Sequence, residues 1–526
     1  MTAPWWRSAV FYQVYPRSFQ DTGGDGIGDL DGVARRLPYL RWLGVDGLWV
    51  TPITDSADDD LGYDVTDYLD VHPALGGLPA ADRLLAGAEH QGVRVLLDVV
   101  PNHTSDRHRW FRDARTSRTA AQRDWYVWAD PAPGGGPPNN WASVFGGPAW
   151  ELEPATGQYY LHQFLPSQPD LNWWSPAVRD EFDRILRFWF DRGAAGFRID
   201  TVNRVVKDLE LRDNPPVEPS DSAIARRLGQ RPVWTTSRPE VHEVWRRWRA
   251  ICRQYAPERL LVGETWLFEL DDLARYYGDG DELHLNFNFP FLHAPFEAAA
   301  LRDVVERTEA ALGAERWPAW TAGNHDVTRF PTRWCGGDAA RTRMALVMLL
   351  TLRGTPFLYY GDELGMADVE VPAERAVDPL FHRFPGQRRS RDGARTPMRW
   401  RPGPGAGFTH PGVEPWLPLD PAGADVATQR ADRTSTLHLC RELIRLRRRT
   451  PDLQEGAYRS VDAPDGVWAY RRGEHTLVAL NFGAAEAAVR GVRGSVALSS
   501  DRRREDRPAP GELRLAPGEG AVLALE

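Results

Sequence analysis

Four carboxylates stand at the ends of four separate apolar segments of this 526-residue chain. Each segment has the length and composition of a buried strand. Acidic side chains that recur at the carboxyl ends of buried strands are typical of an active site on the top face of a (β/α)8 barrel. The four carboxylates are those of Asp98, Asp200, Glu264 and Asp326.

Paired carboxylates of this kind indicate glycosidic chemistry. Cleavage of a glycosidic bond needs a carboxylic acid that protonates the departing oxygen and a second carboxylate on the other side of the bond. Arg198 lies two positions before Asp200, so both side chains point the same way on a strand. Such a pair can be a structural ion pair, or the Arg can keep the carboxylate ionised and oriented. We interpret the chain as an enzyme that acts on sugars.

The elements that carry these acids alternate with helical segments. Apolar strand-like segments and intervening helical periodicity at this spacing predict a parallel (β/α)8 barrel, the TIM barrel of the α/β class. The predicted strands cover residues 10–16, 44–52, 93–98, 196–200, 260–264, 282–289, 320–326 and 356–360.

Two interruptions of this alternation predict further domains. Residues 104–175 are rich in Gly, Pro, Trp and Asn, and structureless loops of that length are uncommon in compact domains. We therefore predict an inserted subdomain B over 104–175, after the third strand, within a barrel formed by 1–103 and 176–450. Short strand-like segments beyond the Arg-rich helix 437–449 predict a C-terminal antiparallel β domain, a β-sandwich, over 451–526.

Composition excludes several classes of function. The net charge of −9 gives no support for a nucleic-acid partner. No run approaches the roughly 18 apolar residues of a membrane span, and the N-terminus has no secretion signal pattern, so we expect no membrane partner. The three cysteines, Cys252, Cys335 and Cys440, are too few and too scattered for a disulfide framework. We predict a cytoplasmic protein.

Four motifs, taken together and in order, resemble the α-amylase family of retaining glycoside hydrolases. The likeness extends from Phe11 to Trp400, and the C-terminal β domain fits it. Each motif is modest alone, but four in order at strand ends are specific. They are Asp98-Val-Val-Pro-Asn-His103, Gly196-Phe-Arg-Ile-Asp200, Gly263-Glu264-Thr-Trp and Asn324-His325-Asp326.

The resemblance implies catalytic roles for the matched residues. Asp200 would be the nucleophile, and Glu264 the general acid and base. Asp326 would hold the sugar hydroxyls beside the reacting carbon, and Arg198 would orient Asp200. Two displacements would retain the α configuration. This assignment requires Glu264 to be protonated near neutral pH while Asp200 stays ionised.

The resemblance also implies substrate contacts. His103 and His325 would bond sugar hydroxyls, and Asp98 would support that end of the site. Thr201, the residue after the nucleophile, accompanies a preference for α-1,4 linkages in the family.

Within the family, the chain looks most similar to the α-glucosidase and oligo-1,6-glucosidase branch. Gln168-Pro-Asp-Leu-Asn172 matches that branch's motif in subdomain B. Asp60 and Tyr63 match the residues that close the pocket around the terminal glucose, and Arg391 matches the Arg that pairs with that Asp. A closed pocket implies removal of single glucose units from chain ends.

A glycine-rich loop near the N-terminus is similar to the branch's structural metal loop. The side chains of Asp21, Asp25 and Asp29 and the carbonyl of Ile27 would bind Ca²⁺ or Mg²⁺, which prefer oxygen ligands. The chain departs from the pattern at Gly23, where a side-chain oxygen is usual. A weaker site, a water in that position, or a loop without metal all remain open. No cofactor is expected for catalysis.

These observations predict an α-glucosidase that removes terminal α-linked glucose from disaccharides or short oligosaccharides, with a small-molecule sugar as its only partner. A transglucosylase or a sucrose or maltose isomerase, of the trehalose synthase or isomaltulose synthase type, would use the same residues and remains the alternative. A non-catalytic member of the fold is disfavoured, because the three catalytic acids are present. We expect a monomer or a homodimer.

Overall fold

The predicted barrel is present, and its eight strands form one parallel sheet. The computed structural model describes residues 4–219, 221–384 and 390–526, so the first three residues of the predicted segment 1–103 lie outside it. The strands are β1 (Phe11–Val14), β2 (Gly47–Val50), β3 (Arg94–Val99), β4 (Gly196–Ile199), β5 (Leu260–Gly263), β6 (Leu285–Asn286), β7 (Ala319–Thr321) and β8 (Thr355–Tyr359).

The sheet closes on itself. Its strand order is β6-β5-β4-β3-β2-β1-β8-β7, and a parallel bridge between Phe287 and Ala319 joins the two ends. Alternate residues of each strand therefore point into the barrel or out toward the helices. On β1, Phe11 points inward and stacks on Phe357 at 4.8 Å, whereas Tyr12 belongs to the outer core.

Helices cover the outside of the barrel. The longest of them bury one apolar face against the strands, as the sequence periodicity predicts. None of the described helices has the length and apolar character needed to cross a bilayer. The main helices are Leu30–Leu43, Gly77–His90, Pro176–Asp191, Val241–Cys252, Leu270–Arg275, Ala298–Leu312, Ala339–Thr351 and Thr436–Arg449.

The segment between β3 and Pro176 has its own secondary structure. It contains a short helix, Arg109–Ala114, and a three-stranded antiparallel sheet formed by Trp128–Ala129, Trp150–Glu153 and Gln158–Leu161. Leu171 N donates to Asn102 O at 2.9 Å, which ties the end of this segment to the top of the barrel. An inserted subdomain after the third strand is therefore observed.

The C-terminal β domain is one six-stranded antiparallel sheet of order β9-β10-β11-β14-β12-β13. One face forms a separate apolar cluster that includes Val467, Leu477 and Leu513. The other face, with Trp468 and Tyr470, packs into the main core. The strands are β9 (Tyr458–Val461), β10 (Val467–Arg472), β11 (Thr476–Asn481), β12 (Ala487–Ser499), β13 (Pro508–Leu515) and β14 (Gly520–Leu525).

Candidate active site

Strand register brings the first acid and the arginine side by side. Asp98 on β3 pairs with Arg198 on β4, and Arg198 pairs with Val262 on β5. β4 and β5 approach closely, because a Cβ atom on Gly196 would lie 2.1 Å from Leu260 O. The carboxyl ends of these three strands therefore converge at the top of the barrel.

Arg198 is the centre of the catalytic cluster. Its Nη1 lies 2.8 Å from Asp98 Oδ1 and 2.9 Å from Asp200 Oδ1, and its Nη2 lies 2.7 Å from Glu264 Oε2. All four side chains are buried. One guanidinium thus spans the two predicted catalytic carboxyls, which suits a retaining enzyme, whose carboxyls lie about 5–5.5 Å apart, better than the wider inverting geometry.

Glu264 is held from two sides. Trp266 Nε1 donates to Glu264 Oε1 at 2.9 Å, and the backbone N–H of Thr201 donates to Glu264 Oε2 at 3.1 Å. Thr201 adopts a left-handed backbone conformation with φ of 45°, which is rare for a β-branched residue. This strained turn directly after the nucleophile strand aims an N–H at the predicted general acid.

The surroundings of Asp200 act on its pKa in opposite directions. Burial raises the pKa of Asp200 above its usual value, and the adjacent Glu264 raises it further, while Arg198 lowers it. Two carboxyls this close disfavour each other's ionisation. The ionised state expected for Asp200 stays a prediction, and Arg198 is the group that favours it.

Asp326 is held as a carboxylate. Its Oδ1 lies 3.0 Å from Arg391 Nη1 and 2.8 Å from Arg395 Nη2. Burial alone would raise the pKa of Asp326, but His325, Arg391 and Arg395 hold it well below its usual range. Burial lowers the pKa of His325 to about 3, so His325 is neutral near pH 7. Near pH 7, Arg391 and Arg395 therefore provide the positive charge that keeps Asp326 ionised.

Arg391 closes one end of the site. Besides Asp326, it contacts Asp60 Oδ1 at 3.0 Å through Nη2 and Asp378 Oδ1 at 2.7 Å. The backbone N–H of Arg391 also donates to Asp378 Oδ2 at 2.5 Å. Burial raises the pKa of Asp60, and Arg391 opposes this shift. Arg391 thus joins three carboxylates, of which Asp60 and Asp326 come from distant parts of the chain.

Tyr63 forms one wall of the site. Its hydroxyl lies 3.1 Å from Asp98 Oδ2 and 2.7 Å from His325 Nε2, and its ring is parallel to that of His325. Gln13 Nε2 lies 2.8 Å from the other ring nitrogen of His325, Nδ1. His103 Nε2 lies 2.9 Å from Tyr63 O, and burial lowers the pKa of His103 to about 4. Protein partners therefore orient both imidazoles.

These residues surround a cavity of about 250 Å³. That is slightly below the roughly 300–1,000 Å³ of typical small-molecule sites, which suits a short sugar. Eight predicted residues line the cavity: Asp60, Tyr63, His103, Asp200, Thr201, Glu264, Asp326 and Arg391.

Three predicted residues lie behind the cavity wall. Asp98, Arg198 and His325 contact the lining side chains instead of lining the cavity themselves. The sugar contact predicted for His325 stays a prediction. The structure places this residue as a support for Tyr63 and Asp326.

Several residues of the site were not identified from the sequence alone. Arg395 and Asp378 have no motif of their own, although Arg395 follows Arg391 by four positions. Gln168 and Trp266 both belong to matched motifs, and their place in those motifs was the available signal. Gln168 Nε2 lies 3.3 Å from Asp60 Oδ2. Arg204 lines the cavity, and only its spacing of four from Asp200 pointed to it.

The acids of the predicted metal loop lie apart from the cavity and bind backbone N–H groups. Asp21 accepts from Gly24 N at 2.6 Å and Gly26 N at 2.9 Å. Asp25 accepts from Ile27 N at 2.9 Å. Asp29 accepts from Gly32 N at 2.6 Å and so caps helix Leu30–Leu43.

These loop residues do not fit a metal site as they are placed. Within the described residues, no three His, Cys, Asp or Glu side chains converge as a metal site would require. A bound cation therefore stays a prediction, and no catalytic step depends on it.

Comparison with known proteins agrees with this geometry. A probable alpha-glucosidase from Rhizobium meliloti is 42% identical over 89% of this chain and 87% of its own length. Trehalose-6-phosphate hydrolase from Bacillus subtilis is 36% identical over 92% of this chain and 91% of its own length.

Two solved structures are also similar over the full length of both chains. An alpha-glucosyl transfer enzyme, XgtA, has a TM-score of 0.92 and 40% identity, covering 100% of each chain. Trehalulose synthase MutB from Pseudomonas mesoacidophila has a TM-score of 0.91 and 34% identity, again covering 100% of each. Residues 13–456 match the alpha amylase catalytic domain. The chain therefore belongs to the α-amylase family.

Proposed function

We propose that this protein is a retaining, exo-acting α-glucosidase that releases terminal α-linked glucose from disaccharides and short oligosaccharides. The observation that carries this proposal is the pair of contacts from Arg391 to Asp60 and Asp326. These contacts block the cavity on one side of the catalytic carboxyls, so a substrate chain can extend only from the other side. The probable alpha-glucosidase that is 42% identical over 89% of this chain supports the same function.

The residues of the site account for the chemistry. Glu264 protonates the departing oxygen, and Asp200 attacks the anomeric carbon to form a glycosyl-enzyme. Glu264 then acts as the base that activates water, and the second displacement restores the α configuration. A proton must lie on Glu264 when the leaving group departs, and Asp200 must be ionised. We infer that substrate binding favours this arrangement, since the sugar separates the two carboxyls.

A two-part experiment tests the proposal. The configuration of newly released glucose is followed by NMR with 4-nitrophenyl α-glucoside, which releases a single glucose, and kcat is measured for the wild type and for Asp200→Asn. We expect α-glucose as the first product and a loss of more than about a thousandfold in kcat for the variant. Asp180→Asn, a change on an exposed helix, is the matched control. Initial release of β-glucose, or an active Asp200→Asn variant, would refute the assignment.

A second candidate function is transfer of glucose to another sugar on the same site. The full-length similarity to an alpha-glucosyl transfer enzyme and to trehalulose synthase MutB favours it. Product analysis on maltose, isomaltose and sucrose at low and high concentration separates the two. Free glucose in excess at all concentrations indicates a hydrolase, and new disaccharides or trisaccharides in excess of glucose indicate a transferase.

Three further properties belong to the proposal. Thr201 at the cavity supports a preference for α-1,4 linkages, which the comparison of maltose with isomaltose tests. A cytoplasmic location is consistent with three buried free cysteines. A monomer or homodimer is expected, and light scattering of the purified protein measures the mass.

A further inference from the structure

Arg204 is a buried cation without a carboxylate partner. The residue is 6% exposed, and its guanidinium donates one hydrogen bond, from Nη1 to Gln163 Oε1 at 3.0 Å. It makes no ion pair with any residue of the described ranges. Asp170 is the carboxylate with the largest electrostatic effect on Arg204. Asp170 already pairs with Lys207, at 2.9 Å. A buried charge without a counterion is unfavourable, so Arg204 would be stabilised by a bound anion.

The guanidinium lies on the leaving-group side of the catalytic carboxyls. Arg204 ends the turn that follows β4, and its N–H donates to Thr201 O at 2.9 Å. Thr201 in turn contacts Glu264, the general acid. Because the leaving group departs toward the general acid, the turn borders the space that the aglycone occupies. The opposite end of the cavity is the one closed by Arg391.

A second arginine adds positive charge to the same space. Arg227, at the exposed rim, lines the cavity together with Arg204. Burial lowers the pKa of Arg204 to about 10, and the charge of Arg227 contributes to the shift. Arg204 therefore stays protonated near pH 7. Both arginines line the same cavity, so an anion bound there would be close to positive charge from two residues.

The cavity that contains these cations also has apolar lining residues. Phe145 and Phe164 pack edge to face at 5.8 Å, and Val144 and Leu380 complete this apolar lining. The Arg204 guanidinium carbon lies 6.0 Å from the centre of the Phe164 ring. The leaving-group side thus offers a surface for the body of a ring and a fixed charge for a substituent on it.

We propose that this side of the cavity recognises an aglycone that carries an anionic group, a carboxylate or a phosphate, with Arg204 as its main partner and Arg227 as an auxiliary charge. The inference rests on the proposed glucosidase function and names the substrate class of that site. The anion takes no part in the chemistry, since Asp200 and Glu264 make and break the bonds.

Two matched substrate pairs test the inference. The first pair is 4-carboxyphenyl α-glucoside and its methyl ester. The second is maltose with and without a phosphate on its reducing-end glucose. For each pair, the ratio of kcat/KM for the anionic to the neutral member is measured in the wild type, in Arg204→Gln and in Arg227→Gln. Arg490→Gln on β12 is the matched control, an exposed arginine of the C-terminal sheet.

We expect the wild type to prefer at least one anionic member by about tenfold or more, the size of one hydrogen-bonded charge contact. Arg204→Gln should bring that ratio near one, Arg227→Gln should lower it about threefold by removing an exposed charge, and Arg490→Gln should leave it unchanged. Which pair shows the preference identifies the anion.

Three results would overturn the inference. Wild-type ratios near one in both pairs would do so while leaving the glucosidase function intact, because the neutral members report that function. An equal loss on both members in Arg204→Gln, with the ratio kept, would make Arg204 a support of the site instead. No turnover of any of the four compounds would remove the proposed function, and the inference with it.

Discussion

Arg391 is the residue whose removal should alter the site most informatively. Its guanidinium contacts Asp60, Asp326 and Asp378, and its side chain is 13% exposed. Arg391→Gln keeps a polar side chain, but it removes the charge and is too short to keep the Nη contacts. Breaking a buried ion pair costs about 2–5 kcal/mol, or roughly 30- to 4,000-fold.

The contacts that remain in the variant limit the expected loss to the lower part of this range. Arg395 still contacts Asp326 at 2.8 Å, so one of the two sugar-facing carboxylates keeps a counterion. We therefore expect kcat/KM on 4-nitrophenyl α-glucoside to fall by about 30- to 300-fold. The pH dependence should also change. Asp60 must be ionised to accept sugar hydroxyls, and loss of Arg391 raises a pKa that burial already raises. The acid limb of kcat/KM should move to higher pH.

The assay is a pH profile of kcat/KM for the wild type, Arg391→Gln and Arg375→Gln. Arg375 lies on the same connecting segment and pairs with Glu414 at the surface, so its replacement should change kcat/KM less than twofold, as is usual for exposed pairs. A thermal scan of each variant separates a loss of folding from a loss of binding. A value for Arg391→Gln within threefold of the wild type, or an acid limb that moves to lower pH, would refute the reasoning.

Three further changes have defined outcomes. Trp266→Phe removes the hydrogen bond to Glu264 Oε1, so kcat/KM should fall about tenfold; an unchanged value would show that Thr201 and Arg198 suffice to position the acid. Asp29→Ala removes the cap of helix Leu30–Leu43 and should lower the free energy of unfolding by about 1 kcal/mol in urea. If EDTA lowers the Tm of the wild type but not of Asp29→Ala, the loop binds a cation after all. Gly196→Ala places a Cβ atom 2.1 Å from Leu260 O, so it should destabilise the fold by at least about 1–3 kcal/mol; full stability would mean that β4 and β5 can separate.

The predicted role of Asp200 requires a carboxylate. The pKa of Asp200 is raised by burial and by Glu264, yet the nucleophile must be ionised when it attacks. Asp200 and Glu264 share the guanidinium of Arg198. A sugar bound between them weakens their mutual repulsion and leaves Arg198 as the main influence on Asp200. The predicted roles therefore apply to the substrate complex.

The sequence by itself determined the barrel and the positions of the candidate catalytic acids. A strand has a period of two and a helix a period of 3.6, so local composition alone marks where each begins. In a parallel barrel all carboxyl ends meet on one face, so an acid at a strand end is already placed without knowledge of any contact. Asp200, Glu264 and Asp326 were found for that reason.

Only the tertiary structure decided which charged side chains contact each other. Arg391 reaches Asp60 across 331 positions of the chain, and its support by Asp378 depends on how one loop folds back on another. The acids of the glycine-rich loop, which are predicted metal ligands, accept hydrogen bonds from backbone N–H groups, a contact that their spacing did not reveal. Arg204 becomes informative only because no carboxylate in the described ranges pairs with it. Electrostatic energy depends on distance and burial in three dimensions, and neither follows from spacing along the chain.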